Sequence, residues 1–275
     1  MLTLLSFEEE KKRKLLPFPL IKGNVTVAYE EAGGITARKI SCKVKNGRIN
    51  SDKLIKKLGK DRQVVCNPQR KKLLPPGVRS FSERGLRERL CGNFAVSVVQ
   101  RLGEENRDLK IGLFDPEGKN SDLPAFFLEC TRNLLVVTYE TELYSQCAQW
   151  ILNEKGALFS VSSDIGDLAD CALIVALEPI REKIYPSEKS IILTSEMPCV
   201  PLGCSSFWEY SVDVPEKYKK LCPKDIPEII FCEALYSKCG IYDLGSQIPL
   251  LCRNNSISHT ALSLGKYLGN LVKVN

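Results

Sequence analysis

The chain has one histidine in 275 residues, His259, and that scarcity removes several chemistries at once. A metal site built on several histidines is impossible within one copy. A Ser–His–Asp or Cys–His relay would rest on His259 alone, and no Gly-x-Ser-x-Gly elbow accompanies it. No Gly-x-x-x-x-Gly-Lys loop is present, which argues against a P-loop phosphotransferase. No apolar run approaches the roughly 18 residues that suggest a membrane span. There is no Cys-x-x-Cys pair, no internal repeat and no low-complexity tract.

What is present is ordinary in bulk: 44% hydrophobic and 26% charged residues, enough to bury a large core in one or two domains. Twelve cysteines are the exception. Several sit inside apolar stretches, such as Cys147 near Ile151 and Cys171 at a strand start, so they read as small hydrophobes in a reducing compartment. Six lie between 199 and 252 without knuckle spacing, which disfavours zinc or an iron–sulfur cluster. Cys199 and Cys204, in an irregular segment, are the expected reactive thiols. The opening Met1–Phe7 is followed by acidic and then basic residues, the reverse of a secretory leader, so the expectation is a cytoplasmic protein.

Five short apolar runs dominate the centre: LKIGLFD (109–115), NLLVVTYE (133–140), ALFSVSSD (157–164), CALIVALE (171–178) and SIILTSE (190–196). Helical or loop segments separate them. That rhythm predicts an α/β fold, a Rossmann-like layered core with a mostly parallel central sheet. The clearest unit is 133–163. It reads as a strand, a helix capped by Thr141 with Tyr144, Cys147, Ala148, Ile151 and Leu152 inward, a Gly156 stop, and a second strand.

Ligands of open α/β sheets bind beyond the carboxyl ends of the strands. Each of the five runs carries an acid there: Asp115, Glu140, Asp164, Glu178 and Glu196. The candidate ligand-binding set is Asp115, Glu140, Thr141, Asp164 and Glu196. Reading 134–138 as the first strand makes Tyr139-Glu140-Thr141-Glu142 the phosphate-loop equivalent. Bulky and acidic, it repels a phosphate, so conventional dinucleotide binding is disfavoured and no cofactor is named. Asp164 then resembles the acid that holds an adenosine ribose. A crest of carboxylates also suits a divalent cation, if three of them converge.

Toward the N-terminus, 24–29 alternates, Gly33-Gly34 marks a turn, and 35–44 alternates with a phase change near Arg38-Lys39, as a bulge produces. This predicts a β-hairpin, followed by a helix over 51–60 and a strand at 63–66. A longer helix, about 82–101, carries Leu86, Leu90, Phe94, Val98 and Leu102 on one face, with a Ser80/Glu83 capping box. Beyond 197, a helix from an Asp225 cap to Cys239 and a last helix over 256–272 are expected. The latter places His259 in its first turn, facing solvent and neutral.

Charge is uneven. Residues 1–110 carry 25 Lys+Arg against 12 Asp+Glu, and 111–275 carry 14 against 21. The basic groups Lys11–Lys14 and Arg70–Lys72 lack interleaved aromatics, which disfavours nucleic acid as a partner. The resulting expectation is a basic N-terminal α+β part (1–105) with a β-hairpin and a Rossmann-like α/β domain (106–275). Its function reads as a non-catalytic or degenerate module that binds a small molecule or protein partner at the strand ends. A metal-assisted or cysteine-dependent enzyme is the alternative, and nucleic-acid binding by the basic part is the third reading.

Overall fold

The computed structural model describes residues 1–9, 25–82, 84–199, 203–240 and 248–272. The Lys11–Lys14 group and the Glu83 half of the capping box lie outside them. In chain order come β1 (Leu2–Glu9), β2 (Val25–Ala32), β3 (Ile35–Val44), α1 (Ser51–Leu58), β4 (Gln63–Cys66) and β5 (Arg79–Ser80). Next are α2 (Arg84–Val99), β6 (Ile111–Phe114), α3 (Leu123–Phe127), β7 (Leu134–Val137), α4 (Thr141–Lys155), β8 (Ser160–Ser162), β9 (Leu173–Ala176) and β10 (Ile191–Thr194). The chain ends with β11 (Ser205–Phe207), β12 (Glu209–Tyr210), α5 (Glu216–Lys219), α6 (Glu228–Cys239), β13 (Cys252–Arg253), β14 (Ser258–His259) and α7 (Ala261–Val272).

The chain divides into two compact units, Met1–Glu83 with Val212–Ile241 and Arg84–Ser211 with Tyr242–Asn275. The sequence pattern assigns α2 to the N-terminal part and puts a boundary near residue 105. Here α2 belongs to the second unit, and the chain returns to the first for α5 and α6.

The first unit holds a mixed sheet in the order β2–β3–β1–β4–β5. The expected hairpin is there: β2 and β3 pair antiparallel from Val25↔Cys42 to Ala32↔Ile35, closed by Gly33 and Gly34 at φ +57° and +77°. Those positive angles are a glycine requirement of a two-residue hairpin turn. The register is continuous, so no bulge exists near Arg38. The phase change has another cause. Ala37 and Arg38 are both buried, and Arg38 donates to Thr3 Oγ1 (2.9 Å) and to the Lys57 carbonyl in the last turn of α1 (3.3 Å). A guanidinium suits that spot, because a helix C-terminus carries partial negative charge. The strand β1, which lies between β3 and β4, is not among the strands expected from sequence. Leu5 packs with Leu54 and Leu58 of α1, and α6 also packs on β1 and β4. The helix α6 starts after Pro227 without a side-chain cap, so Asp225 is not its N-cap.

The second unit is built on six strands in the order β11–β10–β9–β6–β7–β8, with every neighbouring pair parallel. All five predicted apolar runs are strands of this sheet. From β6 the chain steps outward to β7 and β8, then crosses back to β9 and continues to β10 and β11. Numbered from β6, that is the Rossmann order 3-2-1-4-5-6, and its switch point lies between β6 and β9. The helix α2 packs on β9 and β10. It is buried on every side from Leu90 to Val99, beyond the predicted stripe, because α3 and α7 also lean on it. Phe114, Leu135, Val137, Ile174, Ala176 and Ile192 form a second layer of core with Ile165, Leu168, Ile180 and Ile184. Such two-sided burial is why these strands read as unbroken apolar runs. No helix among the described residues is long and apolar enough to cross a membrane.

Gly112 in β6 is a point of close approach. A Cβ there would lie 2.5 Å from Leu168 Cδ2 and 2.9 Å from Cys171 Sγ. Gly112→Ala should therefore destabilise the protein by about 1–3 kcal/mol, the usual cost of overpacking a filled core. Urea unfolding followed by circular dichroism measures it, and an unchanged midpoint would contradict the packing described.

Candidate functional site

Because the chain goes on from β6 to β7 on one side and from β9 to β10 on the other, the loops after these two parallel neighbours leave opposite ways and open a cleft between them. A cavity of about 320 Å³ lies there, lined by Phe114, Pro116 and Glu117 after β6 and by Glu178, Pro179, Arg181 and Glu182 after β9. Tyr139 after β7, Ile165 after β8 and Arg84 at the start of α2 complete it. Its size is at the small end of ligand pockets, roughly 300–1,000 Å³.

The loop after β6 is tightly determined. The Gly118 N–H donates to the Asp115 carbonyl (3.2 Å), closing a turn with Pro116 at its second position. Gly118 has φ +66°, and a Cβ on it would meet Leu143 at 2.9 Å and Glu140 at 3.1 Å. Asp115 is wholly buried. Its carboxyl group accepts from the Asn120 backbone N–H (2.8 Å), the Asn120 side-chain amide (3.4 Å) and the Tyr144 hydroxyl (2.6 Å). Burial, then Asp115, push the Tyr144 phenol far above its ordinary range, so it stays a donor. The Tyr139 N–H, for its part, donates to the Pro116 carbonyl (3.1 Å), joining this loop to the end of β7.

Charges of both signs ring the cleft. Lys119 pairs with Glu117 and, at 3.3 Å, with the nearly buried Glu178. Glu117 first, and Glu178 after it, hold the Lys119 ammonium above its usual value, while Lys119 lowers Glu117. Arg84 Nε donates to Glu88 at 3.1 Å, and that partner raises the guanidinium. Burial raises Glu88 itself, with Arg84 opposing. The Tyr139 hydroxyl donates to Glu182 at 3.1 Å, spanning from the β7 end to the loop after β9.

None of the five residues picked from sequence lines this cleft, although Asp115, Glu140 and Asp164 are chain neighbours of residues that do. Asp115 lies beneath it, engaged in the loop's own hydrogen bonds. Glu140 occupies the N-cap position of α4 without a capping bond, and Thr141 is therefore the first helical residue rather than the cap. Asp164 accepts from the Gly166 N–H at 2.8 Å as the cap of a short 3-10 turn, and Glu196 is half-buried after β10. Among the described residues no three His, Cys, Asp or Glu side chains come together to hold a metal ion. The carboxylate crest therefore does not converge as a cation site requires.

The strand order also corrects the nucleotide comparison. Strand one is β6, not β7, so the phosphate-loop equivalent is Asp115–Asn120 and the ribose-acid position lies after β7, at Tyr139-Glu140, rather than at Asp164. The tight turn was legible as Asp-Pro-Glu-Gly, but its importance depends on knowing that β6 comes first. Arg84, Tyr139, Arg181 and Glu182 are absent from the sequence-based set, because cleft membership is a long-range property that no local pattern marks.

His259 lies in β14, before α7 begins, not in a helical turn. It is half-buried, edge-on to Phe207 at 5.3 Å and stacked with Tyr267 at 5.8 Å, and burial lowers its pKa. Its ring packs between Phe207 and Tyr267 rather than facing solvent. All twelve cysteines are free thiols. Of the two expected to be reactive, Cys199 is exposed, but Cys204 packs on the core and burial pushes it up to about 11.

Two outcomes follow from this geometry. Tyr144→Phe removes one donor from a sealed carboxyl group and should cost about 1–3 kcal/mol in unfolding free energy; a loss below roughly 0.5 kcal/mol would contradict the hydrogen bond. Alkylation by iodoacetamide at pH 8 should modify Cys199 first, with Cys204 and Cys171 spared because both thiols titrate near about 11. Their reactivity should rise only as the pH climbs toward that value. Peptide mass mapping reads the order, and equal labelling of Cys204 and Cys199 would overturn it.

No family model matches the chain, and no curated protein matches it. Among solved structures it resembles L-tryptophan dehydrogenase from Nostoc punctiforme, with 12% identity, a TM-score of 0.28, and coverage of 86% of this chain and 68% of that one. A likeness that slight carries no argument about mechanism, and the fold assignment stands on the strand order itself.

Proposed function

We propose that this protein is a Rossmann-like binding module that takes a small ligand in the cleft between the ends of β6 and β9. The observation that carries the reading is the position of the cleft. It opens at the switch point of the sheet and is lined from both diverging loops, where open α/β sheets bind ligands.

A dinucleotide held by its pyrophosphate fits poorly. The loop after β6 spends its Asn120 N–H on Asp115, and α3 behind it has only five residues. A helix that short offers little dipole to an anion. The enzyme reading through a bound divalent cation gains no support, since the acids of the crest do not gather. Binding of nucleic acid by the basic N-terminal part is the weaker alternative. Arg70 and Lys39 there already pair with Glu9 and Glu30.

The test is amide chemical-shift mapping with a library of small polar fragments. Binding at the cleft moves the resonances of Phe114, Glu117, Tyr139 and Glu178 together. Hits that consistently map elsewhere, or a library with no hit at these residues, would remove the reading.

A further inference from the structure

We infer that the ligand of this cleft is a small carboxylate with an apolar body, an inference that rests on the ligand-binding reading above. The reason is an imbalance of open valences. Each carboxylate lining the cleft already has a donor: Glu117 and Glu178 share Lys119, and Glu182 accepts from Tyr139. The guanidinium groups are not used up. Arg84 commits Nε to Glu88 and also feels Glu196 and Glu178 through space, but its two terminal nitrogens make no hydrogen bond among the described residues. Arg181 is exposed, makes none at all there, and acts on Glu117 only through space. The unspent groups at this mouth are therefore planar N–H forks, which match a carboxylate in bidentate fashion.

The rest of the lining limits the ligand in two ways. Glu117, Glu178 and Glu182 lie in the same cleft, so a doubly charged phosphate meets three like charges while gaining the same two forks. A single negative charge suffers less from that opposition. Phe114, Ile165, Pro116 and Pro179 supply an apolar floor, so the remainder of the molecule is apolar and compact. A cavity of about 320 Å³ suits a compact molecule rather than a dinucleotide.

Four probes that share a phenyl ring test this: 3-phenylpropanoate, its neutral amide, 3-phenylpropylamine as a cation, and phenyl phosphate. Affinities come from titrating the resonances of Phe114, Tyr139, Ile165 and Glu178. The carboxylate should bind at least tenfold more tightly than the other three. Arg181→Ala should weaken it about tenfold or more, the usual worth of a charge-assisted hydrogen bond, and Arg181→Lys should restore only part. Arg181 is exposed and makes no hydrogen bond among the described residues, so its variants should keep the unfolding temperature of the parent. If the amide, amine or phosphate shifts the cleft residues as strongly, the carboxylate class is wrong while the site stands. Silence from all four, with other library fragments mapping to the cleft, likewise rejects the carboxylate and keeps the site. Silence from the probes and the library together overturns both readings.

Discussion

A buried carboxyl group at the end of β6 shapes the site of this protein. Leaving such a group without partners in a closed interior costs several kcal/mol, so the chain around it must bring donors. Asp115 obtains them from three directions: the Asn120 backbone, the Asn120 side chain and the Tyr144 hydroxyl. The first two fold the loop back on itself, and the third fixes α4 against the end of β6. The loop cannot open to wrap an external anion without stripping Asp115 of a partner. One intramolecular requirement thus sets the rim of the cleft and removes the usual phosphate cradle.

The sheet beneath transmits that constraint. Gly112 sits two residues before Phe114 on β6, and the absence of its side chain lets Leu168 and Cys171 close onto the strand. A side chain there would lift the segment that carries Ile165, which lines the cleft. Packing in one layer and the lining at the strand ends therefore meet on a single strand. Ordinary loop variation can change the chemistry at the mouth without touching that layer, which is why the fold by itself says so little about the ligand.

Four of the six strands of this sheet, β6, β7, β9 and β10, are legible because they are short and buried on both faces, and continuous apolar runs of four residues have few other uses. The hairpin was legible from Gly33-Gly34 and alternation. What failed was order and partnership. β1 has the same apolar run as the others, but at the chain start no flanking helix marks its role. The phase change at Arg38 looked like a bulge because a sequence cannot show a guanidinium reaching a helix C-terminus. The return of 212–241 to the first unit leaves no local mark. At the site, acids at strand ends were visible one by one. Which of them would be buried, capped or paired was not, since Asp115, Asp164 and Glu178 have similar neighbours in sequence and different partners in space.

The contrast among those acids bears on what a strand-end site can recognise. In a nucleotide-binding sheet the backbone N–H groups after the first strand are unspent, and an acid after the second is left to meet a ribose. Here the N–H group of Asn120 is spent internally, and the position after the second strand is Tyr139-Glu140, whose tyrosine hydroxyl donates to Glu182 beyond β9. On the proposed ligand-binding reading, recognition falls to whatever is left over, and what is left over at this cleft is guanidinium. A site read by its unsatisfied groups, rather than by its most numerous ones, points away from cations despite the crest of acids. On that reading the carboxylates are the matched half of the electrostatics, Arg181 and the terminal nitrogens of Arg84 are the open half, and an incoming ligand gains most from groups that give up little to meet it.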